Sequence, residues 1–267
     1  MASPAETYEA YFVPSIFAPL AQVVLSRAAP RPGERALDLA CGTGVLARAL
    51  APAVGTAGRV MGIDLRPGML AVARDRAVAD GVTVDWRQAD ACALDLPAGE
   101  LDLIVCQQGL QFFPDRAGAL RHVHRALAPG GRVVFACWRS IEQQALWRDL
   151  LEVERRHLAA LGADADDAVA PFSLGDAAAL RTLLIDAGFT DVVVEAHTLD
   201  VAFPAAGFIR SQYQAYAAVM PQLADDPDAF EAFVAAIEAD TRALVARSTR
   251  GDHVRAPMHT HVAVARR

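Results

Sequence analysis

The stretch that most constrains the fold is residues 36–47, with the sequence Ala-Leu-Asp-Leu-Ala-Cys-Gly-Thr-Gly-Val-Leu-Ala. An apolar run interrupted by Asp38 leads through two glycines into a segment typical of helix, so the pattern predicts a strand, a tight turn and a helix. Gly42 and Gly44 lack a Cβ, which lets the backbone approach a ligand closely, and the helix behind them presents unpaired N–H groups. The turn is therefore predicted to be a binding loop.

Residues 42–47 also satisfy the dinucleotide fingerprint G-x-G-x-x-G/A, so the ligand is either a nicotinamide dinucleotide or another adenosine compound. The surrounding chain has to distinguish these two. Asp38 lies four residues before Gly42, where a buried carboxylate would repel a pyrophosphate but would suit an ammonium group. This argues against a nicotinamide-dependent oxidoreductase.

Two further acids follow predicted strands. Residues 59–65 are predicted to form the second strand, and Asp64 near its end is placed to accept both ribose hydroxyls of an adenosine ligand. Pro67 begins a predicted helix in which Met69 can lie against an adenine ring. After a third strand over residues 82–88, Asp90 can accept a hydrogen bond from the adenine amine.

The next strand, residues 101–106, is an almost continuous apolar run of the kind that a parallel sheet buries on both faces. It leads into a polar and aromatic loop, residues 107–115, which should border the reaction site because ligands of open α/β sheets lie beyond the carboxyl ends of the strands. A helix over 115–128 and a fifth strand over 132–138 follow. The alternation predicts the α/β class with a doubly wound sheet.

The rest of the chain reads as additions to this sheet. Residues 4–29, which we call the leader, are rich in aromatic residues and either pack on the core or cover the ligand as a lid. After Trp138, helical stripes that include Phe172, Met220 and Phe230 predict a cap. Residues 258–265 alternate as a last strand. The predicted boundaries are 1–30 for an N-terminal helical lid, 31–141 for the cofactor-binding core, 142–175 for a cap insertion, 176–203 for a core helix and strand, 204–250 for a second cap insertion and 251–267 for the last core strand.

Composition excludes several classes of protein. The 267 residues are 54% hydrophobic with a net charge of -7, which favours one sizeable soluble domain and disfavours a nucleic-acid-binding face. The N-terminus resembles no signal peptide and the apolar runs are short, so we expect a cytoplasmic protein without a membrane segment. Four cysteines without a C-x-x-C pair predict neither zinc nor disulfides: Cys41, Cys92, Cys106 and Cys137.

Five signals in this order resemble the class I S-adenosylmethionine-dependent methyltransferases, particularly the small-molecule branch similar to the ubiquinone and menaquinone C-methyltransferases. They are residues 37–44, 62–70, 88–91, the 107–115 loop and 127–131. The family's loop has an acid followed by three alternating glycines, and here Ala40 replaces the first glycine. The resemblance implies a Rossmann-like, seven-stranded sheet whose last strand is antiparallel.

The resemblance also implies the cofactor S-adenosyl-L-methionine, with S-adenosyl-L-homocysteine as its product. The loop and Asp38 would surround the methionine portion, Asp64 would hold the ribose, and Asp90 with its neighbours would meet the adenine. The residues expected to bind the cofactor are Asp38, Ala40, Cys41, Gly42, Gly44, Asp64, Leu65, Met69, Asp90, Ala91 and Gln107.

The acceptor is expected to be an apolar or aromatic small molecule, methylated on an O, N or C atom. The chain lacks the Asn/Asp-Pro-Pro-aromatic motif of the enzymes that methylate amino groups of adenine or glutamine. Residues expected to contact the acceptor are Tyr11, Gln108, Gln111, Phe112, Tyr213 and Tyr216, and candidate bases are His197, His259 and His261. The sequence identifies no catalytic residue and predicts no metal site, because His259 and His261 have no third ligand.

Two alternative functions stay open at this stage. One is a protein that uses the cofactor in a structural, regulatory or non-methylating, cyclase-like way. The other is a nicotinamide-dependent oxidoreductase. A monomer or a homodimer is compatible with the sequence.

Overall fold

The computed structural model describes residues 2–160, 167–216 and 227–267. Its centre is an eight-stranded sheet with the strand order β3-β2-β1-β4-β5-β8-β6, and β7 pairs with β8. The strands are β1 Arg35–Leu39, β2 Arg59–Asp64, β3 Asp85–Gln88, β4 Leu101–Gln107, β5 Leu127–Trp138, β6 Thr190–Pro204, β7 Thr249–Arg250 and β8 His253–Arg266.

The predicted α/β sheet is confirmed. Strands β1 to β5 are parallel, and β8 inserts antiparallel between β5 and β6. The prediction of seven strands omitted β7, whose two residues are too few for a sequence pattern. Strand β8 begins at His253, earlier than residue 258, because its first residues pair with the far end of β6, down to Pro204.

Helices cover both faces of the sheet. They are α1 Pro4–Phe12, α2 Ala18–Ala28, α3 Val45–Val54, α4 Pro67–Asp80, α5 Arg116–Ala126, α6 Ala145–Ala160, α7 Ala177–Asp186, α8 Phe208–Tyr216 and α9 Pro227–Ser248. Two apolar clusters result, one containing Leu20 and Leu50 and the other Leu120 and Leu180. Burial of such side chains contributes about 1.5–3 kcal/mol each, which is the main stabilisation of the fold.

The leader belongs to two parts of the molecule. Helix α1 packs against α8 of the cap, whereas α2 packs against α3 and β5 of the core. A π-helical turn, Val13–Phe17, which contains Pro14, joins them. Among the described residues, Pro4–Ala28 forms a helical stretch long and apolar enough to cross a membrane, and half of its most apolar window is buried in the fold. The apolar runs were expected to be short, whereas α1, the π-helical turn and α2 form one uninterrupted helical stretch of 25 residues.

The cap is built by α6, α8 and α9, which pack on one another. The predicted cap helices are therefore present at residues 145–160, 208–216 and 227–248. Met220 of the predicted stripe lies outside the described residues. Strand β5 starts at Leu127, earlier than the predicted residue 132, and pairs there with Leu101.

Candidate cofactor and acceptor site

A cavity of about 310 Å³ lies at the carboxyl ends of β1, β2 and β4. One half of its wall comes from the loops that follow these strands: Leu39, Ala40, Gly42, Ile63, Asp64, Leu65, Arg66, Met69, Ala89, Asp90, Ala91 and Gln107. The other half comes from the leader, the loop after β4, β5, β8 and the cap: Tyr8, Phe12, Ile16, Phe17, Gln108, Gly109, Phe112, Phe113, Pro114, Trp138, Trp147, Pro171, Phe172, Tyr216 and Met258.

The Asp64 side chain connects the loop after β1 with the loop after β2. Its Oδ2 accepts a hydrogen bond from the Gly42 backbone N–H at 2.8 Å, and its Oδ1 accepts one from the Arg66 N–H at 2.9 Å. The side chain is largely buried, and burial raises the pKa of its carboxyl. Each carboxylate oxygen retains a lone pair for a ligand hydroxyl.

Asp38 lies beside a second, smaller cavity. This cavity of about 30 Å³ is lined by Tyr8, Phe17, Asp38, Ala40, Cys41, Gly42, Thr43, Val45, Leu46 and Gln107. Asp38 is 1% exposed, and its Oδ2 accepts from the Ala47 N–H at 2.9 Å in the first turn of α3. Burial, with a smaller contribution from the charge of Asp64, raises the pKa of Asp38 to about 8. A cation at this position would lower that pKa.

Two other polar atoms face this smaller cavity. The Thr43 hydroxyl and the Gln107 Oε1 are buried and have no hydrogen-bond partner within the described residues. The Gln107 Nε2 donates to the Phe17 carbonyl at 3.0 Å, which connects the end of β4 to the leader. Unpartnered buried polar groups are uncommon, so these atoms indicate a ligand with both donor and acceptor groups.

Gly44 serves a different purpose from Gly42. A Cβ on Gly44 would lie 2.3 Å from the Trp86 ring, and one on Gly62 would lie 2.4 Å from the same ring. Gly44 and Gly62 thus leave room for the indole ring of Trp86. Gly44 is absent from the walls of both described cavities. A Cβ on Gly42 would meet only Tyr8, at 4.0 Å.

The far half of the large cavity is aromatic. Tyr8 stacks on Phe17 with ring centroids 5.1 Å apart, and the Phe12 ring meets Tyr216 edge-on at 5.5 Å. Phe112 is half exposed and lies at the rim. Aromatic rings supply a large apolar surface and preferred edge or offset contacts, so this half suits a flat apolar molecule.

The two glutamines after β4 form a buried network. Gln108 has a left-handed backbone, with φ 58°, and lines the cavity. Its Oε1 accepts from Gln111 Nε2 at 2.8 Å, and its Nε2 donates to Thr260 Oγ1 at 3.1 Å. Thr260 in turn donates to the Cys137 carbonyl at 2.8 Å. Gln111 therefore supports Gln108 from behind and is not itself in the cavity wall.

Several predicted site residues lie elsewhere. Tyr11 and Tyr213 are buried outside the cavity wall: the Tyr11 hydroxyl donates to the Phe208 carbonyl at 3.2 Å, and Tyr213 is hydrogen-bonded to Glu154. Neither tyrosine lines the cavity, although each lies three residues from one that does, a difference that a helical stripe of aromatic residues cannot reveal.

The three candidate bases are also outside the cavity wall. His261 bonds the Gly175 carbonyl at 3.0 Å, His259 bonds Thr198 Oγ1 at 2.9 Å, and His197 lies 3.5 Å from Glu195. They belong to β6 and β8. His259 and His261 are each hydrogen-bonded to a protein group, whereas the His197 Nε2 is buried without a hydrogen-bond partner among the described residues. Within the described ranges, no group of three metal-ligating side chains is present.

Three residues of the site escaped the sequence analysis. Tyr8 was overlooked in favour of Tyr11 on the same helix, although the helical repeat allows either to face the ligand. Thr43 lies inside the binding loop and could have been selected for its position between the two glycines. The Trp86 ring is the reason that residue 44 has to be a glycine. The two residues are far apart in sequence, so no local sequence pattern predicts their contact.

Comparison with known proteins agrees with this geometry. Residues 36–131 match the family described as a methyltransferase domain. The chain is 42% identical over 106 residues to a 2-phytyl-1,4-naphtoquinone methyltransferase of Synechococcus elongatus, which covers 39% of this chain and 46% of that protein. It is 40% identical over 103 residues to a ubiquinone biosynthesis O-methyltransferase of Pseudomonas aeruginosa, covering 38% and 43%. The matches thus span less than half the length of these curated relatives.

The fold resembles solved structures over nearly the whole chain. The YcgJ protein of Bacillus subtilis superposes with a TM-score of 0.61 at 16% identity, covering 92% of this chain and 97% of that one. At this identity the likeness concerns the fold alone. The family resemblance inferred from the sequence is confirmed over residues 36–131, which match the methyltransferase-domain family.

Proposed function

We propose that this protein transfers a methyl group from S-adenosylmethionine to an O, N or C atom of an apolar aromatic small molecule, of the quinone type. The observation that carries this proposal is the junction of two cavities. The small cavity beside Asp38 and the large aromatic one share part of their walls, namely Tyr8, Phe17, Ala40, Gly42 and Gln107. The methionine portion of a cofactor in the small cavity would continue into an adenosine against the strand-end loops of the large one, next to an acceptor in its aromatic half.

The small cavity fits the methionine portion of the cofactor. Asp38 supplies a carboxyl that a ligand ammonium would neutralise, and Gln107 Oε1 is an unpartnered acceptor for the same group. The unpartnered Thr43 hydroxyl and the N-terminal end of α3 suit a carboxylate. The residues therefore match both charges of an amino acid.

The loops after β2 and β3 fit an adenosine. Asp64 lines the cavity and retains lone pairs for the ribose hydroxyls. Asp90 lines the same wall, and its Oδ1 accepts from the Cys92 N–H at 2.8 Å, which fixes the carboxyl near Ala91. Leu65 and Met69 supply the apolar surface for a base ring. A nicotinamide dinucleotide is disfavoured, because its pyrophosphate would lie against the carboxyls of Asp38 and Asp64.

The bound cofactor would supply a methyl group already activated by the sulfonium charge. The protein then has to hold the acceptor in line with that methyl group and exclude water. Rigid placement of this kind is worth effective molarities of roughly 10⁵ M or more. The network of Gln108, Gln111 and Thr260 fixes the floor of the cavity, and Phe12, Phe17 and Trp147 fix its apolar wall.

The quinone-type acceptor is supported by the composition of the wall and by the relatives. Trp138, Trp147, Phe172 and Met258 offer flat apolar contact. Both relatives described above bear names of quinone biosynthesis. We further propose that residues 1–30 cover the site, that the protein acts as a monomer or homodimer, and that it is cytoplasmic.

The proposal is tested with deuteromethyl S-adenosylmethionine and a set of hydroxylated naphthoquinones and benzoquinones, each supplied oxidised and reduced. Mass spectrometry should detect a product heavier by one labelled methyl group, and calorimetry should detect binding of S-adenosylhomocysteine. Asp64→Ala should abolish both signals, whereas Gln22→Ala, an exposed change on α2, should alter neither. Failure of the wild-type protein to bind S-adenosylhomocysteine would refute the proposal.

A further inference from the structure

A buried group of ion pairs connects α1 to two helices of the core. Glu9 of α1 is 7% exposed, and its Oε1 accepts hydrogen bonds from Arg48 of α3 at 3.0 Å and from Arg76 of α4 at 2.8 Å. Arg48, whose side chain is 10% exposed, also donates to Asp80 of α4 at 2.7 Å. We call these four residues the clasp. None of them lines either cavity of the candidate site, so the clasp does not contact the ligands.

The clasp is connected to the loop after β1 in two ways. Arg48 Nε donates to the Gly44 carbonyl at 3.3 Å. Tyr8, the residue before Glu9, lines both cavities, and a Cβ on Gly42 would lie 4.0 Å from its ring. One residue of α1 thus covers the loop, and the next is held by the helix that this loop begins.

The two helices of the leader are attached to different parts of the molecule. Helix α1 packs on α8, and the Tyr11 hydroxyl donates to the Phe208 carbonyl at 3.2 Å. Helix α2 is held on the core, where Arg132 donates to the Ala28 carbonyl at 2.6 Å. Between them lies the π-helical turn Val13–Phe17, and such turns are frequent at functional sites. This turn is therefore the natural hinge between α1 and α2.

The chemistry of the clasp suits a contact that opens and closes. The Glu9 Oε2 is buried without a hydrogen-bond partner among the described residues, so the closed state carries a desolvation penalty. Opening returns this oxygen to water. Because burying charges costs about as much as their attraction gains, a buried ion pair contributes little net stability. The clasp therefore specifies the closed arrangement without making its opening prohibitive.

We propose that the clasp closes the cleft between the core and the cap, with α1 and α8 moving together about the Val13–Phe17 turn. Opening separates Tyr8 from the loop after β1 and gives the cofactor access to the small cavity. Closure returns Tyr8 to the wall of both cavities. The identity of the ligand rests on the proposed function, whereas the motion itself can be measured without any ligand.

The test measures access to Cys41 in the ligand-free protein. Cys41 is buried and shares the small cavity with Tyr8, so a thiol reagent reaches it when the cleft opens. The protein is treated with N-ethylmaleimide and digested, and mass spectrometry follows the labelling of each cysteine. Glu9→Gln should accelerate labelling of Cys41 by about tenfold or more, since hydrogen bonds to charged groups have this strength. Arg48 keeps Asp80 as its partner in this variant.

A second variant tests the same contact from the other side. Arg76, whose side chain is half exposed, can be replaced without burying a new group. Arg76→Met should also accelerate labelling of Cys41, by less than Glu9→Gln because Glu9 retains Arg48. The double variant should exceed Glu9→Gln by less than about twofold, because both changes break one contact. Should Glu9→Gln not fold, an unchanged Cys41 rate in Arg76→Met overturns the proposal.

The other cysteines and a second ion pair serve as controls. Cys106 and Cys137 are fully buried in the core, so their labelling reports global unfolding and should be unchanged. Glu231 accepts from Arg210 at 2.7 Å in an ion pair between α8 and α9, which lies within the cap. Glu231→Gln should therefore leave the labelling of Cys41 unchanged.

S-adenosylhomocysteine distinguishes this inference from the proposed function. It should slow labelling of Cys41 in the wild type, and it should dissociate about tenfold faster from Glu9→Gln. Unchanged Cys41 labelling or an unchanged dissociation rate in Glu9→Gln, or an equal rise at Cys106, would overturn the inference. Failure of S-adenosylhomocysteine to bind the wild type would overturn the proposed function, and the ligand-free labelling would still decide whether the clasp controls opening.

Discussion

The two halves of the cavity are built in different ways. The cofactor half consists of loops that follow neighbouring parallel strands, and its polar groups are short acids held by backbone N–H groups, as Asp64 is held by Gly42 and Arg66. The acceptor half consists mainly of aromatic side chains from the leader, the loop after β4, β5 and the cap, together with Met258 of β8. One half is encoded within single βα turns, whereas the other is assembled from segments far apart in the chain.

This difference indicates how each half should respond to change. The loops carry the charge and the hydrogen bonds that select one ligand, so single substitutions there should abolish binding. The aromatic half offers overlapping apolar contacts from many side chains, so single substitutions there should alter affinity modestly.

Removal of the Asp64 carboxyl should have the largest effect. Asp64→Ala should weaken S-adenosylhomocysteine binding by about 100-fold or more, because two hydrogen bonds between a charged group and ribose hydroxyls would be lost. Isothermal titration calorimetry measures this change. Asp64→Asn retains one carbonyl oxygen and should lose less; equal losses in the two variants would mean that Asp64 acts only by holding the loop.

Substituting the two glycines of the binding loop should have different effects on the stability of the protein and on its affinity for the cofactor. Gly44→Ala should lower the free energy of unfolding by about 2–4 kcal/mol, because the new methyl group collides with Trp86 and φ is 81°. Gly42→Ala, with φ 55° and open space, should lower it by about 1–2 kcal/mol while reducing cofactor affinity. Urea unfolding and calorimetry measure the two effects.

Gly33→Ala is the matched control, since it shares a positive φ, 85°, but has nothing within 4 Å and is remote from the cavity. It should cost about 1–2 kcal/mol of stability without any loss of cofactor affinity. A Gly44→Ala variant as stable as Gly33→Ala would contradict the role given to Trp86.

The pH dependence of cofactor binding should report on Asp38. Its pKa is raised to about 8, above the unfolded value of 3.8, so the stability of the ligand-free protein should fall as the pH rises from about 4 to 8. A ligand ammonium lowers this pKa, so cofactor affinity should rise with pH up to about 8, by at most about tenfold per unit. Calorimetry at several pH values tests this, and Asp38→Asn should flatten the profile.

Removing the hydrogen bond from Gln107 to the Phe17 carbonyl, which connects the two halves of the cavity, should have the smallest effect. Gln107→Met removes the bond to the Phe17 carbonyl and should cost about 1 kcal/mol, together with faster proteolysis of the leader. Gln22→Met, an exposed change on α2, is the control and should leave the proteolysis rate unchanged. Equal rates in both variants would show that Gln107 does not hold the leader in place.

Much of the cofactor half could be predicted from the sequence. The binding loop, Asp38, Asp64 and Asp90 lie at the carboxyl ends of β1 to β3 as predicted, although β3 begins at Asp85 and not at residue 82. This succeeded because a βα turn is local: the strand, the glycines and the acid that define it lie within a few residues of one another, and the alternation of strands and helices fixes which ends meet.

The acceptor half depended on the tertiary structure. Helical periodicity marks Tyr8, Tyr11, Tyr213 and Tyr216 as one aromatic set, but it cannot tell which side faces a cavity and which faces another helix. That choice follows from the packing of α1 on α8, two elements about two hundred residues apart, as the Tyr11 to Phe208 bond shows. The sequence alone therefore determined the resemblance to the family, the order of the sheet and the loops after β1 to β3, whereas long-range packing decided which aromatic side chains line the cavity.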